Sequence, residues 1–304
     1  MSAVSASLVK ELREKTNAGM LDCKKALEES QGNFELAVEW LRKKGLSAAA
    51  KKSSRVAAEG LVWAGVMPNG TGVVVEVNSE TDFVARNEQF QQFVKAAGES
   101  VAAAPNTSDI QTVMMKGGSK NLADSAKDLT ATIGENIVVR RAEKFEAKPG
   151  HLVQSYIHGE GKIGVLVEVA GPNTPDVKAF ATDVCLHIAA MNPMALSGDQ
   201  IPAETVSKEK EILKAKALEQ GKKPEMLDKI VEGQIRKFLA ENCLMDQAFV
   251  KNPDLTVSAY MKETAKKAGG DLKVVRFVRF GLGEGIEKKQ TDFAAEVAAQ
   301  TKGH

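Results

Sequence analysis

Gly72–Val77, GVVVEV, returns later in the chain as Gly164–Val169, GVLVEV. Each copy is a short apolar run bounded by turn residues, the pattern of a buried strand. The neighbours of the two runs repeat as well. Leu61 to Met67 alternates like a strand and meets Gly72 to Asn78 across Pro68-Asn69-Gly70, a hairpin signal. Tyr156 to Val169 forms a second hairpin, turning at Gly159-Glu160-Gly161. Downstream of the first run lie a helix over Glu88 to Ala104 and another over Asn121 to Ile133, ending at Gly134; a strand follows over Asn136 to Phe145. FVKAAGESVAAAP, from Phe93, resembles FATDVCLHIAAMNP, from Phe180, and GENIVVR, from Gly134, resembles GDLKVVR, from Gly270. The chain therefore reads as an internal duplication of a strand-strand-helix-helix-strand repeat. That is an α+β fold, with helices on one face of small antiparallel sheets.

The copies differ at two places. The first has extra residues after its strand, in EVNSETDFVARN (Glu76 to Asn87), which place the large aromatic Phe83 among polar neighbours. Because the second copy builds the same repeat without this segment, Phe83 is not needed for the fold and reads as exposed. The second copy has its own excess, Ala203 to Met245, which reads as a helical hairpin. Ile212, Leu213, Ala217 and Leu218 line one arm; Gly221 stops it and Pro224 starts the return. The return arm carries Met226, Leu227, Ile230, Val231, Ile235, Phe238 and Leu239. Such a protrusion suits association with a partner or a second copy better than chemistry.

Outside the repeats, the first residues form three short helices. Leu8, Val9 and Leu12 mark the first, Leu21 to Leu27 the second, and Phe34, Ala37, Val38 and Leu41 the third, with Asn33 as its N-cap and Gly45 as a C-cap glycine. Ser47 to Glu59 is a linker or a solvated helix; its Lys51, Lys52 and Arg55 read first as a solvated cluster. At the other end Thr291 or Asp292 caps a short helix with Phe293, Ala294 and Val297 on one side. A helix that short must dock on its own domain or on a partner. The parts divide as 1–55, a helical docking module; 56–149, the first core half; 150–202 with 246–288, the second; 203–245, the inserted hairpin; and 289–304, a C-terminal module.

Composition excludes more than it assigns. With 41 Lys and Arg against 40 Asp and Glu, the whole chain offers no basic footprint for nucleic acid or an anionic membrane. Aromatics are only 5%, too few for base-stacking platforms. No run approaches the ~20 apolar residues of a spanning helix, and the N-terminus lacks the pattern of a signal peptide. Cys23, Cys185 and Cys243 lie far apart, neither a disulfide framework nor a metal knuckle. His151, His158, His187 and His304 have no ligand spacing; His187 reads as a core histidine, His158 as exposed at a turn. Gly159-Glu160-Gly161-Lys162 is no phosphate loop, and Gly281-Leu282-Gly283-Glu284-Gly285 lacks dinucleotide spacing. What remains is a modular interaction protein without an active site.

Two segments carry a family likeness. LREKTNAGMLDCKKAL (Leu12 to Leu27) and EVNSETDFVAR (Glu76 to Arg86) resemble the signature motifs of the elongation factor Ts family, and the order of parts agrees along the chain to a DFAAEVAA tail from Asp292. The resemblance implies a UBA-like N-terminal module, a duplicated core, a coiled-coil insertion and a helical tail. It implies a guanine-nucleotide exchange factor for the translational GTPase elongation factor Tu, working in the bacterial cytoplasm. Such a factor makes and breaks no bond and carries no cofactor or metal of its own; GDP and Mg2+ belong to the partner. Thr81, Asp82, Phe83 and Val84 inherit the intrusion that disturbs the Mg2+ site. Arg13, Met20 and Lys24, then Ile133, Gly134 and His158, and finally Asp292 and Phe293, inherit partner contacts. Leu21 stands where some relatives have a second methionine. Membrane and direct nucleic-acid contacts are not implied; pairing of two copies through the coiled-coil or core region is left open. The rival reading is a ribosome- or RNA-associated accessory protein using Lys43, Lys44, Lys51, Lys52 and Arg55, against which the near-neutral charge argues.

Overall fold

The computed structural model describes residues 4–16, 18–146 and 148–287. It begins with α1 (Ala6–Thr16), α2 (Met20–Glu29) and α3 (Phe34–Lys52). These close on a small core of Val9, Leu12, Cys23, Ala26, Leu27, Ala37 and Leu41. Asn33 caps α3 as its sequence requires, its Oδ1 accepting from the Leu36 amide at 3.0 Å.

The first repeat follows as β1 (Glu59–Val66), β2 (Gly72–Ser79), a 3-10 turn (Val84–Arg86), α4 (Glu88–Ala103), α5 (Leu122–Ile133) and β3 (Val138–Phe145). The second is β4 (His151–His158), β5 (Ile163–Ala170), α6 (Pro175–Met191), α7 (Ala203–Glu219), α8 (Pro224–Asn242), β6 (Ala248–Phe249), β7 (Asn252–Thr256), α9 (Val257–Ala268) and β8 (Lys273–Gly281). The strands assemble as β1-β2-β3 and β4-β5-β8. In both sheets the second strand is central and the last strand of the repeat closes the far side, so the duplication read in the sequence is a duplication of topology. Val73, Val74, Val75 and Val77 are wholly buried, as are Val165, Leu166, Val167 and Val169. Near-continuous apolar runs are what strands covered on both faces require.

The chain packs as two compact units. One runs to Val62, includes Val75–Ala142 and resumes at Gly281; the other is Trp63–Val74 with Glu143–Phe280. In the second unit Val165, Val167 and Val169 face Phe180, Val184 and Ile188 of α6, with Val257 of α9 in the same core. β4 is longer than the expected hairpin arm, pairing in antiparallel register from His151 opposite Ala170 to His158 opposite Ile163. Its polar start, His151 and Gln154, hid the alternation.

Two expectations need correction. Gly45 does not end the third helix: α3 continues to Lys52, which also makes the start of the 47–59 stretch helical. A Cβ at Gly45 would lie 2.8 Å from the Cβ of Ala131 on α5. The glycine lets two helices meet closely; it is not a stop signal. The inserted hairpin is also narrower in its seam than its apolar stripe. Ala217, Leu227, Val231 and Ile235 are buried, whereas Ile212, Leu218 and Met226 remain 53%, 49% and 55% exposed. Two helices share one line of contact, so residues a third of a turn off that line stay outside. Among the described residues no helix is long and apolar enough to cross a membrane.

Candidate partner-binding site

Central strand β2 delivers the segment that the second repeat lacks. Beyond Ser79 the chain turns sharply: Ser79 Oγ donates to the Thr81 carbonyl at 2.9 Å. The Thr81 amide and hydroxyl both donate to the Glu135 carboxylate, at 2.9 and 2.6 Å. A tight helical turn follows, with Ala85 N to Asp82 O and Arg86 N to Phe83 O at 3.2 Å each. Asn87 then caps α4, its Oδ1 accepting from the Phe90 amide at 3.2 Å. In a turn of about three residues, neighbouring side chains point about 120° apart. Phe83 is accordingly 77% exposed while Val84 is only 5% exposed. Val84, one of the four residues to which the resemblance assigns the intrusion, faces inward and anchors the turn.

Ile133 and Gly134 lie at the same junction. Gly134 ends α5 in the left-handed conformation, φ +91°, which glycine adopts without a steric cost. Its carbonyl accepts from Lys52 Nζ at 2.6 Å. The next two residues complete the join: Glu135 holds Thr81, and the Asn136 amide donates to Glu80 Oε1 at 2.7 Å. Arg55 Nη1 lies 3.3 Å from Glu80 Oε2, and the Arg55 carbonyl accepts from Asn136 Nδ2 at 2.8 Å. Lys52 and Arg55, which read in the sequence as a solvated cluster, are thus engaged within the fold. Nothing in the periodicity or motifs singles out Glu80, Glu135 or Asn136 as parts of this junction. An acid directly after a helix-ending glycine was the only local signal, and its target lies 54 residues away.

Beneath this junction β2 carries the fully buried Glu76. Arg140 Nη1 and Arg141 Nε of β3 reach it at 3.0 and 2.6 Å, Asn78 Nδ2 at 3.0 Å and the Gly283 amide at 2.8 Å. Burial alone raises its pKa, but the bonds from Asn78, Gly283 and Arg141 outweigh it and hold the carboxyl below the usual range. The same arginines hold the segment entering from Gly281: Arg141 Nη2 donates to the Gly281 carbonyl at 3.0 Å and Arg140 Nη2 to that of Glu284 at 2.6 Å.

The other expected contacts lie elsewhere. Arg13 and Lys24 are exposed on α1 and α2, beside Met20 and Leu21, 48% and 83% exposed. His158 is exposed at the end of β4, its Nδ1 3.1 Å from the Tyr156 hydroxyl. It belongs to the second unit. Asp292 and Phe293 lie outside the described residues. His187 is buried in the core: Nε2 bonds Gln247 Oε1 at 2.9 Å and Nδ1 accepts from the Val250 amide at 3.1 Å. Cys23, Cys185 and Cys243 are buried free thiols. Among the described residues no group of three or more His, Cys, Asp or Glu side chains could hold a metal ion.

A family model described as Elongation factor TS matches residues 80–284, more than half of the chain. The chain belongs to the elongation factor Ts family. It is 61% identical to the Elongation factor Ts of Bdellovibrio bacteriovorus, over 99% of this chain and 100% of that protein. The Elongation factor Ts of Syntrophotalea carbinolica is 49% identical over 98% of this chain and 99% of its own. That of Brucella anthropi is 49% identical over 99% and 100%. The likeness first seen in two motifs therefore extends over nearly the whole length of these elongation factor Ts proteins. The family match opens at Glu80, the acid that bonds Asn136, and closes at Glu284, whose carbonyl Arg140 holds.

Proposed function

We propose that this protein is a translation elongation factor that binds elongation factor Tu·GDP in the bacterial cytoplasm and promotes GDP release by disturbing the partner's Mg2+ site, so that GTP can enter. The observation that carries this reading is Phe83, 77% exposed at the tip of a turn anchored on both sides. An aromatic left in water by its own fold favours insertion into another molecule. Asp82 beside it supplies an acceptor for the displaced segment. The protein breaks no bond and needs no cofactor of its own; the GDP and Mg2+ are the partner's.

The energetics call for several contacts. Weakening GDP about a thousandfold needs ~4 kcal/mol, at about 1.4 kcal/mol per tenfold. Burying one Phe side chain supplies ~1.5–3 kcal/mol. Phe83 alone falls short, and GDP must weaken the factor by the same ratio that the factor weakens GDP. We assign the remainder to Arg13, Met20 and Lys24 on a UBA-like module over 1–55, to Ile133 and Gly134 of the first core half, to His158 of the second, and to Asp292 and Phe293 of the C-terminal module. The inserted arm over 203–245 is a coiled coil in this scheme.

Phe83→Ala is the decisive variant. It is expected to keep binding elongation factor Tu while releasing a fluorescent GDP analogue at least about tenfold more slowly in stopped flow, the scale of one lost apolar anchor. Release at the rate of the unaltered protein would remove the wedge from the mechanism.

A further inference from the structure

We propose that Glu135, together with Glu80, is a positioning residue that fixes the turn presenting Phe83; this rests on the exchange reading above. The two acids form a reciprocal clasp. Glu135 accepts from the amide of Thr81, the residue after Glu80, and Glu80 accepts from the amide of Asn136, the residue after Glu135. Glu135 takes the Thr81 hydroxyl as well, at 2.6 Å. Bonds from amides and hydroxyls to carboxylates are roughly twice as strong as neutral ones. Arg55, 3.3 Å from Glu80, offsets the repulsion of two neighbouring acids.

The clasp matters because Phe83 cannot orient itself. A ring 77% exposed has little protein to rest on, so its direction is set by its flanks. Downstream, the buried Val84 and the Asn87 cap hold the chain. Upstream, the chain is held at Thr81: Ser79 Oγ bonds its carbonyl from within the same turn, and Glu135, which takes both its amide and its hydroxyl, ties it to another part of the fold. Glu135 also follows Ile133 and Gly134 directly, so the clasp couples two stretches assigned to the partner: displacing one displaces the other. Because the other contacts hold the partner whatever the conformation of this turn, the release rate at saturation scales with the fraction of complexes in which Phe83 is correctly presented. Glu135 keeps that fraction near one without touching the partner.

The test uses the full-length chain with elongation factor Tu loaded with a fluorescent GDP analogue. Glu135→Ala is expected to lower the saturating release rate about tenfold, the effect of losing a bond to a charged group, with the half-saturating concentration unchanged within about twofold. The double variant with Phe83→Ala should be no slower than Phe83→Ala alone, because both act through one element. Losses that multiply in the double variant, or an unaltered rate in Glu135→Ala, would overturn the proposal. Should Glu135→Ala fail to fold, Thr81→Val removes only the hydroxyl bond and must show the same non-additivity. Amide hydrogen exchange without the partner separates this claim from the exchange reading. Faster exchange at Thr81–Val84 in Glu135→Ala supports the clasp, and unchanged protection refutes it. An unaltered protein that does not accelerate GDP release sinks the exchange reading, and with it the role given to the clasp.

Discussion

Glu76 and Glu168 hold the same position in the repeated run, and both are fully buried. Arg140 and Arg141 neutralise the first. Arg276 Nε at 2.5 Å and His151 Nδ1 at 2.6 Å meet the second. For each, burial raises the carboxyl pKa, but the hydrogen bonds together outweigh it and the net direction is down. Between the folded and unfolded pKa values the unfolded chain binds more protons, so stability is complete above about pH 4.3, the usual Glu value, and falls as pH drops through the folded pKa. Glu76→Gln should flatten part of this acid limb in urea titrations and cost about 1–3 kcal/mol at neutral pH. The lower end is expected because the arginine side chains, 26% and 32% exposed, can turn toward water. His187 adds a separate slope: burial lowers its pKa, and protonation would oppose the Val250 amide that Nδ1 accepts. Stability is therefore also lost as pH falls below about 6.5, the unperturbed histidine value. The valines around these acids made the strands legible. The burial of the acids was not, because the arginines Arg140 and Arg276 that meet them lie 64 and 108 residues along the chain.

At the scale of the element, the helices and strands were readable from periodicity and caps, and their junctions were not. Gly45 shows why. A glycine after an apolar helical stretch has the local appearance of a C-cap, and only Ala131, on another helix, reveals its use. Gly45→Val should drive α3 away from α5 and cost about 1–3 kcal/mol, the usual penalty of overpacking, read as a lower thermal midpoint. Were there no close approach, a side chain here would stabilise the helix by relieving its glycine, so the sign of the shift decides. Glu135 was illegible for a related reason. Its partners Thr81 and Asn136 sit on segments whose meeting depends on how α5 ends, whereas Phe83 announced itself by lying in a segment that the second repeat does without.

At the scale of the whole molecule, the repeat predicted both sheets and the helix before each closing strand, α9 included, and its excess in the second copy marked the hairpin, but the β6-β7 pair had no sequence signal of its own. The hairpin leaves and re-enters its unit at adjacent points. The Leu244 amide donates to the Ala195 carbonyl at 2.8 Å, and that of Met245 to Leu196 at 3.0 Å. Leu244 itself lies in the main core of the second unit. Replacing 203–242 by a short flexible linker should therefore preserve cooperative unfolding of that unit, whereas extending the deletion through Met245 should abolish it, as circular dichroism during thermal unfolding would record. The insertion also sets an order of assembly during synthesis. In the first repeat the buried acid waits 64 residues for its arginine, in the second 108. At roughly 5–20 residues per second, the nascent chain leaves β5 without its β8 neighbour for roughly 5–20 s. The thermodynamic cost of so long a loop grows only slowly with its length, but the open strand edge is a site for unwanted pairing throughout that interval. The arm that enlarges this protein's surface thus also lengthens the time for which its second half is vulnerable on the ribosome.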